Sequence, residues 1–512
     1  MNILINQIGY MPEARKVAAV RGGLFQNAEI LNEKDQAVLC VPVSSEKTSI
    51  WGDEVSYADF SELHVPGKYV VKIGDERSYP FEIAKDVYGK CLTALVDMFY
   101  YQRCGCDLSS DIGAFKHSAC HMTKARVYGT QEYREVSGGW HDAGDFGRYI
   151  VPAAKAVCDL LIAYEWNKKA FEKAGITEII GETKWELMWM LKMQREDGGV
   201  YHKATCASFC DMIMPDEEKE EIILSPVSTT ATGDFAACMA MAYRFYKDAD
   251  GAFALEMKNA AVKAWEFLQN NGAILFKNPA GITTGEYGDD CDQDERLWAA
   301  IELFRLTGEK KYEEAALSMI GDFDFTLAPL GWADVSGYAA IEGMDLEGEL
   351  GEKCRQWVKT AAESRYKGIN AYGIAMTDSL PWGSNMDVSD DGMLFYCAWK
   401  LTGDEKYREA MHKQLNYILG VNPMGYSYVS GFGTKCMRYP HHRPSIATGV
   451  CQPGMLSGGP ASGMMDPVAK EFLQGKSAGK SYIDDHGSYS TNEICVYWNS
   501  PLVALMAAVK AE

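Results

Sequence analysis

No run of eighteen consecutive apolar residues occurs in the chain, and the best candidate, residues 150–164, is broken by Lys155 and Asp159. A membrane-spanning helix is therefore not expected. Positive charge is also short, because 50 Lys and Arg face 71 Asp and Glu and leave a net charge of -21. Gripping a phosphate backbone needs clustered Lys and Arg, so nucleic acid is not an expected partner. The opening Met1-Asn2-Ile3-Leu4-Ile5-Asn6-Gln7 holds neither a basic segment nor an apolar core of secretory length. The expected compartment is the cytoplasm, or the exterior if a signal was removed ahead of Met1. Fifteen cysteines, an odd number scattered through a long chain, do not make a disulfide framework and are expected to be reduced thiols.

What the chain has is length and aromatic side chains. At 512 residues it exceeds what one core usually supports, so a large domain and a small one are expected. Aromatic residues make up 12%, with 12 Trp and 28 Tyr, which suits stacking on flat ligands as well as core packing. Residues 1–84 show short period-two runs (Lys16-Val17-Ala18-Ala19-Val20, Ala37-Val38-Leu39-Cys40-Val41, Lys68-Tyr69-Val70-Val71-Lys72-Ile73) separated by Gly-, Pro- and Asn-containing turns. That spacing predicts a small immunoglobulin-like sandwich with a packing role. From about residue 86 the period becomes 3.6, with apolar stripes near 87–103, 145–166, 178–195, 230–247, 252–270, 290–306, 310–328, 334–343, 347–364, 388–402, 404–419 and 492–510. The domains are thus 1–84 and 85–512, the second mainly α. Turns such as Leu306-Thr307-Gly308-Glu309 join the stripes into helical hairpins, and six such hairpins can close into an α/α ring. Residues 420–491 are rich in Gly, Pro, Ser and His without periodicity, and long irregular segments in compact domains are commonly functional.

Three clusters carry chemistry. In Gly138-Gly139-Trp140-His141-Asp142-Ala143-Gly144-Asp145, two carboxylates lie three residues apart where a Gly-rich loop enters an apolar stripe. A helix N-terminus there helps to keep both ionised, and two ionised acids holding one water make a general base; an N-capping turn is the plain alternative. Near the other end, in Tyr489-Ser490-Thr491-Asn492-Glu493, Glu493 opens the last stripe either as a capping acid or as a general acid kept protonated by burial and nearby charge. Pro440-His441-His442-Arg443 offers many donors to hydroxyl groups, or is a solvated basic turn. A third set, Cys104, Cys106, Cys120, His121 and His141, has the ligand types zinc prefers but no short zinc-finger spacing, so buried thiols remain an alternative.

Taken in order, Gly138–Asp145, Asn422-Pro423, Gly425-Tyr426-Ser427-Tyr428-Val429, Pro440–Arg443 and Tyr489–Glu493 resemble glycoside hydrolase family 9, the cellulase family. Asn6-Gln7-Ile8-Gly9-Tyr10 resembles the start of the immunoglobulin-like module that precedes the catalytic domain in one subgroup. The resemblance implies an (α/α)6 barrel behind a β-sandwich and inverting hydrolysis of β-1,4-glucans or cello-oligosaccharides. Asp145 would be the base, Asp142 a holder of the attacking water and Glu493 the proton donor. His441, Arg443 and Tyr489 would meet the sugar. It further implies a structural zinc on Cys104, Cys120, His121 and His141, with Cys106 or His117 as replacements, and allows calcium, for which Glu196-Asp197-Gly198-Gly199 and Asp289-Asp290-Cys291-Asp292 are oxygen-rich candidates. After Asp145 the chain reads Phe146-Gly147-Arg148-Tyr149, a departure from many family members that leaves substrate detail open. An exo-acting β-glucosidase or β-glucosaminidase is the enzymatic alternative, and a carbohydrate-binding protein with an inert barrel the non-enzymatic one. The protein is expected to be a monomer.

Overall fold

The period-two runs become two packed sheets. In the computed structural model, which describes every residue except 1, 24, 172–177 and 512 and leaves out the side chains of 110–112, one sheet runs Ile3–Leu4, Val17–Arg21, Asp53–Asp59, Thr48–Ile50. The other runs Gly9–Tyr10, Phe81–Ile83, Gly67–Ile73, Asn27–Asn32, Ala37–Pro42, with Glu76–Arg77 paired to Gly67–Ile73. Tyr10, Phe60 and Phe81 meet edge to face or tilted between the sheets. At Gly9, where φ is +134°, a Cβ would lie 1.8 Å from the Glu82 carbonyl, so the strand pairing there admits only glycine.

The sandwich is bolted to the helical part through the same opening motif. Gln7 donates its main-chain N–H to the Leu419 carbonyl and its side-chain N–H to the Gly425 carbonyl, while its Oε1 accepts from Lys435 N–H. Asn6 bonds Asn416, and Trp51 stacks on Tyr372 at 5.8 Å.

The helices form two sets. Ile150–Trp166, Thr229–Tyr246, Gln293–Thr307, Ser336–Gly343, Ser384–Thr402 and Val496–Lys510 are buried around most of their circumference. Each packs on a partner with one exposed face: Ile179–Lys192, Gly251–Asn270, Lys310–Met319, Gly348–Lys367, Glu405–Ile418 and Gly89–Tyr101 respectively. Within the inner set, Val496–Lys510 packs on both Ile150–Trp166 and Ser384–Thr402, so the last helix sits beside the first inner one. No helix among the described residues is long and apolar enough to cross a membrane.

Two residues that break the apolar run lie at the centre of this arrangement. Lys155 Nζ reaches Asp159 at 2.9 Å, Asp390 at 3.1 Å and the Tyr338 hydroxyl at 3.2 Å; Asp159 also accepts from Ser500. One buried cation thereby ties four inner helices. Removing one member of a buried ion network leaves the rest uncompensated. Lys155→Met is expected to destabilise the fold by about 3–5 kcal/mol in urea unfolding; an unchanged midpoint would contradict this.

Three helix starts differ from the periodicity by four residues or more, one of them Ser384–Thr402, which begins ahead of the stripe read from 388. The stripe read from 145 begins as a helix only at Ile150, after the short strand Arg148–Tyr149, and the last helix begins at Val496, three residues past Glu493. Ala143, Phe146 and Tyr149 are buried although they lie in loop and strand, so burial mimicked helical spacing. Two- and three-residue strands between 125 and 228 carry no period-two signal and went unread.

Candidate active site

The loop 142–147 is held in place by residues from the far end of the chain. Val496 N–H donates to the Asp142 carbonyl at 2.8 Å, Arg443 N–H to the Gly144 carbonyl at 3.1 Å, and His441 pairs alongside Glu493. Gly144 N–H donates to Glu493 Oε1 at 3.3 Å. A Cβ on Gly144 would come within 2.3 Å of the His441 carbonyl, so the three segments approach this closely only across a glycine. Asp142, Asp145 and Glu493 then line one cavity of about 650 Å³, together with Tyr287, Trp332, Trp382, His441, Arg443 and Tyr489.

The three acids sit in different surroundings. Burial raises Asp142 well above the usual carboxylate range, Asp145 adds to this, and a hydrogen bond from the Tyr287 hydroxyl opposes it. Asp145 is raised as well by burial, but Arg443, the Gly147 N–H and the Tyr149 hydroxyl all favour its anion. Glu493 is raised well above its ordinary value by burial and then by the charges of Asp145 and Asp142. The surroundings thus favour the protonated form of Glu493, and within the Asp pair they support the anion of Asp145 better than that of Asp142. A helix terminus does not supply this division. Ile150 begins its helix too late, and Glu493 follows the short helix Tyr489–Asn492 rather than opening one.

His441 donates Nδ1–H to the His486 carbonyl at 2.6 Å, which leaves Nε2 as an acceptor, and burial lowers its pKa so that the ring is neutral. His442 does not share the cavity: it is buried between Ser445 and Gln102, with its pKa pushed down to about 3 by burial. Arg443 is at the cavity, but Nε and Nη2 donate to the Cys210 carbonyl and Nη1 to that of Gly144. It braces the wall loop 206–222, with the exposed Phe209 ring stacked on its guanidinium, and leaves two N–H groups for a ligand. Tyr489 spends its hydroxyl on the Met465 carbonyl and presents its ring between His441 and Trp382.

Beneath the loop, Cys104, Cys120, His121 and His141 bring one ligand atom each within 4.8 Å of one another. Cys106 and His117, the replacements considered, lie outside this group. Among the described residues no other set of His, Cys, Asp or Glu side chains meets that criterion, so the acidic segments 196–199 and 289–292 form no comparable cage; Asp197 pairs with Arg195 instead.

Sequence reasoning missed several supporting residues. Tyr287 holds Asp142 from a backbone at φ +47°, a left-handed conformation uncommon for a bulky residue. Tyr149 and Gly147 hold Asp145, and Arg148 ties Val136 and Gly138 through their carbonyls, which accounts for the unusual Phe146-Gly147-Arg148-Tyr149 continuation. Gln102 donates to the His141 and Ala143 carbonyls, and Glu218 bonds His121 Nε2 at 2.9 Å. Tyr287, Gln102 and Glu218 lie tens of residues or more from the groups they hold and leave no local pattern, whereas Gly147 and Tyr149 are near neighbours of Asp145 whose roles no periodicity marks.

Residues 88–506 match Glycosyl hydrolase family 9, and residues 1–78 match the Cellulase N-terminal ig-like domain. The chain belongs to glycosyl hydrolase family 9. It is 36% identical to a cellodextrinase of Butyrivibrio fibrisolvens over 99% of both chains. A single-mutant thermostable endoglucanase from Alicyclobacillus acidocaldarius superposes with a TM-score of 0.94 at 34% identity, covering 99% of each chain. A Zn-binding triple mutant of a family 9 endoglucanase superposes at 0.93 with 26% identity, over 98% of this chain and 99% of that one. The chain is accordingly a glycoside hydrolase of cellulase type, helix-rich with an N-terminal β-sandwich.

Proposed function

We propose that this family 9 member is an inverting β-1,4-glucan hydrolase acting on cello-oligosaccharides and cellulose-type glucans. The observation that carries the reading is the meeting of Glu493 with the Asp142–Asp145 loop across one cavity, in surroundings that push acid and base apart. Glu493 gives its proton to the leaving oxygen while Asp145 draws a proton from a water on the opposite ring face, as an oxocarbenium-like transition state forms. Asp142, steadied by Tyr287, orients that water. His441 and Tyr489 bind the sugar at the cleaved bond, and Arg443 holds the cleft wall and lends positive charge to Asp145 and Glu493.

Two finer features belong to the same proposal. The inner and outer helices close as an (α/α)6 barrel, supported by the packing of the last inner helix on the first. The Cys104, Cys120, His121 and His141 group is a structural zinc site. Two thiolates on a tetrahedral zinc lie about 3.8 Å apart at Zn–S bonds near 2.3 Å, and Cys104 and Cys120 Sγ are 4.0 Å apart, with His141 Nε2 3.7 Å from Cys120 Sγ. His121 Nδ1 is buried without a partner while Nε2 is held by Glu218, the arrangement of a ligating histidine with its outer carboxylate. A bound zinc would fasten Cys104 to the residue preceding Asp142; with four protein ligands it leaves no position for water.

Incubation with cellopentaose tests the reading. A mixture of shorter cello-oligosaccharides is expected; glucose as sole product from the outset would favour the exo-acting alternative, and no new reducing ends would exclude hydrolysis. The pH profile carries a second expectation. kcat/KM falls at low pH as Asp145 protonates and at high pH as Glu493 ionises. Both groups are raised by burial, so both limbs lie above ordinary carboxylate values of about 4. Loss of the alkaline limb below that range would contradict it.

A further inference from the structure

Outside the reaction cavity, a row of rings continues past His441. Trp382 contacts Tyr489 at 5.6 Å, Tyr489 contacts His441 at 5.8 Å, His441 hydrogen-bonds the His486 carbonyl, and the His486 ring meets Tyr439 at 5.5 Å. The two ends are open, Trp382 at 41% and Tyr439 at 54% exposure, while the middle members are half-buried. Tyr439 is not among the residues lining the cavity, and lies two residues, at most about 7 Å of chain, from His441, which is.

The backbone that carries this exposed tyrosine is fixed. Its N–H donates to Asp484 Oδ1 at 2.9 Å and its carbonyl accepts from Asn492 Nδ2 at 2.6 Å. The Asp484 carboxylate takes two further donors, Arg438 N–H and the Tyr426 hydroxyl, besides Asn492 Nδ2. His486 donates Nδ1–H to the Pro440 carbonyl, which fixes its ring and leaves Nε2 as an acceptor. The result is an aromatic ring carried on a pinned backbone at the rim, against the His486 imidazole with its outward acceptor. A pyranose unit offers matching groups, C–H bonds for the ring face and hydroxyls for the imidazole, and a partner on a pinned backbone loses less conformational entropy on binding than one on a free loop.

We propose that Tyr439 and His486 form an outer sugar subsite, one unit or more beyond the cleaved linkage, which makes the enzyme favour longer β-glucan chains over short ones. This rests on the hydrolase reading above, deepening it to chain-length preference. The test compares kcat/KM for cellohexaose and cellotriose in the wild type, Tyr439→Ala and Tyr439→Trp. The cellohexaose-to-cellotriose ratio should fall about tenfold in Tyr439→Ala, one contact's worth of binding, and be kept in Tyr439→Trp. A ratio unchanged in Tyr439→Ala, or lost equally in Tyr439→Trp, would overturn the subsite. Calorimetric binding of cellohexaose to Glu493→Gln protein, with and without Tyr439→Ala, separates the two claims. Weaker binding on adding Tyr439→Ala supports the subsite even if the wild type cleaves no β-glucan; equal binding in both proteins, or none in either, removes it.

Discussion

Glu493→Gln protein should fold normally and lose about 10³-fold or more in kcat on cello-oligosaccharides, the upper range for removal of a general acid. The glutamine is nearly isosteric and can still accept from Gly144 N–H through its carbonyl oxygen, so the cavity keeps its shape while the proton is gone. The loss should shrink on an aryl β-cellobioside whose phenolate departs without protonation, because only the acid step has been removed. Asp145→Asn protein should be equally slow on both substrates, since the attacking water is then unassisted. Full turnover by either variant on cello-oligosaccharides would exclude these roles.

The second large effect is expected at the Cys and His group. Structural zinc contributes folding free energy directly, because its ligands are assembled only in the folded chain. Cys104 N–H donates to the Gly139 carbonyl and His141 N–H to that of Gln102, so the segments carrying these two ligands are stitched together just ahead of the loop 142–147. Cys104→Ser, or wild-type protein stripped with a strong chelator, should melt on the order of 10 °C lower by calorimetry, and re-addition of zinc should restore only the wild type. An identical melting temperature for stripped and replete wild-type protein would show that the thiols and imidazoles are simply packed.

Much of the helical domain was legible from periodicity because inner and outer helices both present long apolar faces. Residues 251–270 and 404–419 lie within a residue or so of their predicted bounds. Reading failed where burial has no period: the stripe extended to 145 took in a buried loop, and the irregular residues 420–491 conceal isolated bridges, one of which, His441 with Glu493, lies at the cavity. The candidate site was partly legible because its acids fall in short, unusual motifs. Its supports were not. Tyr287 reaches Asp142 across 145 positions and Glu218 reaches His121 across 97. The state of the Asp pair also lay beyond the sequence, since burial rather than a helix terminus dominates it, whereas the burial and nearby charge expected to act on Glu493 do so.

The roles proposed for Glu493 and Asp145 have one direct stereochemical consequence. Water drawn in by Asp145 reaches the sugar on the face opposite the departing oxygen, so a β-linked substrate must give a reducing end of α configuration first. Proton NMR of cellopentaose hydrolysis, recorded before mutarotation, should therefore show the α-anomeric signal growing ahead of the β signal. Initial accumulation of the β anomer would mean that a side chain, not water, attacks the sugar, and would contradict the pairing of these two carboxyl groups as acid and base.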